Sequence, residues 1–155
     1  MLRNELESAK AALEKVGKYT GVKLRYAYAK NLKAIQTEIK KLEELAKPTE
    51  DYISYMQEQM KLKLEHAEKD EKGQPKIENQ CFVMKDMDAF ITAAKELDEK
   101  FKDVREAFVI KQKEFAEFMK DESGVVLHRL TEAELPADIT ADEYAAIAFM
   151  IEGSD

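Results

Sequence analysis

The residues with the widest chemical repertoire in this chain are two histidines, His66 and His128, and one cysteine, Cys81. Nucleophilic catalysis needs a nucleophile held beside a base, and no Ser-His-Asp, Cys-His or Gly-rich phosphate-loop pattern is legible around them. His66 lies among Glu65, Glu68, Asp70 and Glu71, a set that could hold a cation. The two-histidine helical spacing of a zinc site is missing, however, and the acids do not follow the order of a calcium loop. A solvated helix end is the expected reading of that charge run. His128 alternates with Val126 and Leu130, which predicts a partly buried structural histidine. Cys81, next to Phe82 and without a basic neighbour in fixed relation, reads as a small core residue. No catalytic residue, metal or cofactor is expected.

A second kind of chemistry lies in the charges. The net charge of −7 conceals a split: residues 1–47 carry eleven Lys/Arg against six Asp/Glu, and residues 48–155 carry fourteen against twenty-six. From Lys15 to Lys41 there are eight basic residues and one acid, Glu38, whereas Thr131–Asp155 holds seven acids and no Lys or Arg. Lys23, Arg25, Tyr26, Lys30 and Lys33 fall on one side of a helix, where the bases could meet phosphates and the ring could stack on a base. The competing expectation, which we favour, is that basic and acidic halves face each other within one chain or across a dimer. An acidic protein is a poor non-specific nucleic-acid binder. Tyr144, Phe149 and Met150 add apolar side chains on more than one face of the terminal helix, a candidate surface for protein contact.

These groups must be positioned by helices. Gly and Pro together number eight in 155 residues, too few for a turn-rich all-β fold. We expect a mainly α single domain over residues 1–155. Its centre is the stretch 86–119, capped by Asp86. There Met87, Phe90, Ala94, Leu97, Phe101, Val104 and Phe108 step by threes and fours, and Phe115 and Phe118 follow. Such a rod is roughly 50 Å long at 1.5 Å per residue and needs a long partner. The expected partner is a helix over 22–68, kinked at Pro48 and capped by Thr20, with Leu24, Tyr28, Leu32, Ile35, Ile39, Leu42 and Leu45 or Ala46 on its core stripe and the helical pattern continuing through Tyr52, Met56, Met60 and Leu64. Together they would form a long antiparallel, coiled-coil-like hairpin. A short first helix covers 1–17 on Leu2, Leu6, Ala9, Leu13 and Val16. Lys69–Pro75 reads as a turn. The β-prone runs 76–84 and 125–130 are expected to pair as a small two-stranded element, and Thr140–Glu143 is a capping box for a helix over 140–152. No run reaches the length of a membrane span and the first residues do not read as a signal peptide, so no membrane partner is expected.

With these landmarks in order, the chain resembles a family of small proteins encoded by siphovirus-type tailed phages and by prophages, known only as a domain of unknown function. The residues that carry the resemblance are GVKLRYAYAKNL over Gly21–Leu32, HAEKDEKG over His66–Gly73 with PKIENQCF over Pro75–Phe82, VVLHRL over Val125–Leu130, and LPADIT over Leu135–Thr140 before the last helix. The middle of the long helix, around Glu99 to Lys113, is extended relative to shorter members. The resemblance implies a phage origin and action in the cytoplasm of an infected or lysogenic host. It brings no activity and no site residues. The function expected is therefore non-enzymatic binding of a protein partner, in assembly or in modulation of the host, with self-association. A nucleic-acid or nucleotide binder using the Lys15–Lys41 face, such as an anti-defence factor, is the alternative, and an enzyme ranks behind both.

Overall fold

The computed structural model describes residues 1–153 and is mainly α, with a small two-stranded antiparallel sheet. The helices are α1 (Leu6–Val16), α2 (Val22–Ala46), α3 (Glu50–His66), α4 (Met87–Lys100), α5 (Lys102–Phe118) and α6 (Ala141–Ala146); the strands are β1 (Ile77–Glu78) and β2 (Cys81–Phe82). Where length alone predicts one domain, the chain divides into two compact units: Met1–Lys47 with Glu114 onward, and Pro48–Lys113.

The first unit holds the core. The apolar stripe of α1 goes inside from Leu6 on, with Leu6, Ala9, Leu13 and Val16 buried, whereas Leu2, expected at its start, precedes the helix and is exposed. Against it lies the stripe of α2, with Leu24, Ala27, Ile35, Ile39 and Leu42 buried. Gly17 allows the two helices to approach, since a Cβ there would sit 3.3 Å from the Tyr28 ring. Leu130, Ile147, Met150 and Ile151 close the core from the C-terminal side. Residue 21 rather than Thr20 is the cap of α2, and it offers no side chain to the helix. Asn31, in phase with the buried stripe, is fully buried.

The second unit is an antiparallel helical pair. Tyr52 stacks on Phe108 at 3.7 Å, Tyr55 lies 5.5 Å from Phe101, and the His66 ring lies 5.8 Å from Phe90, so the partner number falls as the α3 number rises. The expected continuous 22–68 helix is two helices. Proline disfavours the helical conformation in the residue before it, and Lys47 is extended at ψ 140°. Thr49, just past the proline, then caps α3 by accepting the Tyr52 N–H at 3.3 Å. Asp86 caps α4 as expected, accepting the Ala89 N–H at 3.0 Å. The expected single helix over 86–119 is interrupted at Phe101 (φ −105°, ψ 19°), although Arg105 N–H still donates to the Phe101 carbonyl.

The two β-prone runs do not form the expected pair. The first closes on itself: Ile77 pairs with Phe82 and Glu78 with Cys81. Asn79 and Gln80 both take positive φ (49° and 65°), the backbone of a two-residue primed turn that matches strand twist. Cys81 is exposed on this hairpin, not in the core. Further bridges join Ala67 to Met84 and Lys69 to Pro75, around a turn in which Asp70 Oδ1 accepts the N–H groups of Lys72 and Gln74. The second run, 125–130, bridges in parallel from Leu130 to Ile151. That bridge ends the last helix early. In place of a helix over 140–152, α6 stops at Ala146 and a 3₁₀ turn over Ala148–Met150 delivers extended Ile151.

Candidate functional site

Two surfaces, one in each unit, collect the side chains with chemistry to offer. The first is the outer face of α2 beside the segment 124–129. What joins them is Asn31. Its carboxamide donates from Nδ2 to the His128 carbonyl at 2.9 Å and accepts the His128 N–H at Oδ1 at 2.7 Å. A carboxamide has the donor–acceptor pair needed to satisfy a backbone edge in both directions. Two residues on, Leu130 N–H donates to the Met150 carbonyl and Leu130 C=O accepts from the Glu152 N–H. The segment is thereby pinned along the helix, and a shallow cavity of about 380 Å³ opens between Lys30, Lys33 and Lys41 on one side and Gly124–Val126 on the other.

The basic residues singled out from spacing have different fates. Lys23 pairs with Glu134 at 3.5 Å, and Arg25 donates to the Gly17 carbonyl at 2.8 Å. The first pair and the Lys18–Glu143 contact at 2.6 Å bear out, within the chain, the meeting of basic and acidic segments expected from the charge split. Tyr26, Lys30 and Lys33 stay together. Tyr26 is 58% exposed and meets the His128 ring edge-on at 5.1 Å, with Lys30 Nζ at 5.7 Å from the Tyr26 centroid. His128 is thus half-buried, as expected, and also part of an aromatic pair that its sequence neighbours do not announce.

Comparison with protein-family models, characterised proteins and solved structures returns no match. Function has to be argued from these surfaces themselves.

At the C-terminal end, the three residues proposed for protein contact separate. Met150 is fully buried, its sulfur 3.4 Å from Asn31 Nδ2, so its contact is within the chain. Phe149 packs against the core, and Tyr144 donates its hydroxyl to Glu132 at 2.7 Å. The apolar side chains of this end are taken up largely by their own unit, although Ala141 and Ala145 of α6 stay exposed. Glu143 anchors it. Its carboxylate accepts from Tyr19 Oη at 2.6 Å, from Lys18, and from the Thr140 hydroxyl at 2.8 Å. The Lys18 hydrogen bond, then those from Tyr19 and Thr140, hold the Glu143 carboxyl down to about 2.

The second surface belongs to α3. Among the residues of Pro48–Lys113, Tyr55 and Ala67 alone are buried hydrophobics, while Ile53, Met56, Met60 and Leu64 are exposed along one stripe of α3; of the expected pattern Tyr52, Met56, Met60, Leu64, only Tyr52 meets the opposite helix, on Phe108. Steps of three, four and four place them on a ridge roughly 17 Å long. On the packed face, burial first and then its bond to Asp98 at 2.6 Å push the Tyr55 hydroxyl up to about 12. Gln59 donates to the same oxygen, and Arg105 pairs with Asp98 at 3.3 Å. This network lines an open groove of about 1010 Å³ with Tyr52, Lys95 and Lys102. His66, set by its acidic neighbours as a helix end, is engaged with the Phe90 ring. No helix of the described residues is long and apolar enough to cross a membrane.

Proposed function

We propose that the chain is a non-enzymatic, phage-encoded protein-binding factor that works in the cytoplasm of the infected or lysogenic host, in assembly or in tuning a host process. The observation that supports this is the α3 ridge. A helix whose exposed face carries Ile53, Met56, Met60 and Leu64 leaves a continuous apolar strip in water, the spacing at which a partner helix packs. Two of the four are methionines, whose flexible thioethers adapt to a partner surface. The partner is a protein, and a second copy of this chain is the first to test. The ridge could then lie antiparallel on itself, with Glu50 and Asp51 of one helix toward Lys61 and Lys63 of the other.

Light scattering at low and high salt tests self-association. The expected mass is twice the 17.8 kDa of the chain, returning to 17.8 kDa in a Met56→Glu, Met60→Glu variant. A monomer throughout would assign the ridge to a different protein. A photocrosslinking residue at position 60 then reports it in cells expressing the chain, and absence of any discrete adduct there would sink the reading.

A further inference from the structure

The groove between α2 and the pinned segment 124–129 has a chemistry that the apolar ridge of α3 does not use. Of the basic residues along α2, Lys23 and Lys41 are neutralised by Glu134 and Glu38. Lys30 and Lys33 have no carboxylate within ion-pair distance among the described residues. They sit four and seven positions beyond Tyr26, on the same helix face, and line the cavity whose opposite wall is Gly124–Val126. An aromatic ring exposed next to two uncompensated ammonium groups is what a single nucleic-acid strand requires, a surface for one base and cations for the phosphates that follow. A duplex keeps its base faces stacked inside and could use the lysines only. The His128 ring, edge-on to Tyr26, braces the platform, and Asn31 fixes His128 through both of its backbone groups.

We propose that Tyr26, Lys30 and Lys33, with the edge of segment 124–129, form a binding site for single-stranded nucleic acid, independent of the protein-binding ridge. The chain's net charge of −7 opposes a polyanion at long range, so binding depends on these local contacts and weakens steeply with salt.

Fluorescence anisotropy of a labelled oligothymidine with the full chain tests this. Binding is expected at about 50 mM salt and a marked loss by about 200 mM. Tyr26→Ala should weaken it about tenfold, the effect of removing one stacked base. Lys30→Ala with Lys33→Ala should lower the slope of log affinity against log salt by about 1.4, at roughly 0.7 for each phosphate released on a single strand. Lys10→Ala, on α1 and paired with Glu7, serves as the control expected to leave binding unchanged. All these side chains are at the surface, and circular dichroism checks that the variants fold. No anisotropy change at low salt, tighter binding of a duplex of equal length, or unchanged binding by Tyr26→Ala would each overturn the proposal.

Discussion

The two units spend similar sequence patterns in different ways. In the first, the stripe of α2 has α1 on one side and the C-terminal residues Leu130, Ile147, Met150 and Ile151 on another, and Leu24, Ala27, Ile35, Ile39 and Leu42 are buried. In the second, the stripe of α4 and of α5 as far as Lys113 has one neighbouring helix, and neither helix has a buried residue even though Phe90, Leu97, Phe101, Val104 and Phe108 repeat at heptad spacing. Periodicity selects which face turns inward. The number of elements that meet on that face decides how dry it becomes, and so how much each side chain is worth.

Truncation measures that difference directly. Leu13 is completely buried, and Leu13→Ala should cost about 2–5 kcal/mol through lost transfer energy and an unfilled cavity. Leu97 is half-buried, and Leu97→Ala should cost about 1 kcal/mol in proportion to the area it covers. Urea unfolding followed by hydrogen exchange separates the two, with amides of α1 and α2 outlasting those of α3 and α4. Equal costs would mean that the pair in the second unit is as well packed as the core of the first.

A smaller effect tests the polar side of the same core. Asn31→Ala removes both bonds to His128 and leaves its N–H and C=O without their partners, a loss of about 1–3 kcal/mol. Leu can fill the volume but cannot restore the bonds, so Asn31→Leu should not recover stability. If it does, packing and not the clamp holds segment 125–130.

Much of this was readable in advance and some was not, for reasons that lie in particular residues. The stripes of α1 and α2, the Asp86 cap and the Thr140–Glu143 box all depend on neighbours three or four positions away, and most of their residues fall where spacing puts them; Leu2 is exposed, and Ala27 and Asn31 are buried where Tyr28 and Leu32, only partly buried, were expected. Thr49 is a local signal, since a cap directly after Pro48 ends one helix and starts the next within three residues. Asn79–Gln80 was another, a turn inside a run that looked like one strand. Asn31 carried a signal too, since a carboxamide in phase with Leu24, Ala27 and Ile35 needs a partner in the core. The identity of that partner, 97 positions on, had no local trace. The same holds for Tyr19 meeting Glu143 across 124 positions, and for the sorting of paired Lys23 from unpaired Lys30.

The subtlest contrast is in the response of the two units to pH. In each unit one group is displaced furthest from its ordinary range, and the two move in opposite directions. Glu143 in the first unit sits at about 2 against an ordinary 4.5, because Lys18, Tyr19 and Thr140 all favour its charged form. Its contribution is therefore complete above about 4.5 and is lost as pH falls toward 2, where the folded carboxyl takes up a proton. Tyr55 in the second unit sits at about 12 against an ordinary 10.0, because burial and the Asp98 carboxylate both oppose the phenolate. Its contribution is complete below 10.0 and is lost as pH rises toward 12. Glu143→Gln should flatten the acid limb of the stability profile and also weaken its alkaline limb, because the same carboxylate raises Tyr19 and Lys18; Tyr55→Phe should flatten the alkaline limb alone. Ultraviolet titration of the phenolates, with Tyr55→Phe as the difference, reads the second group independently of unfolding. If Glu143→Gln left the acid limb unchanged, the carboxylate would not be the group through which the first unit senses acid, and its bonds to Lys18 and Tyr19 would carry less of the C-terminal anchoring than their geometry implies.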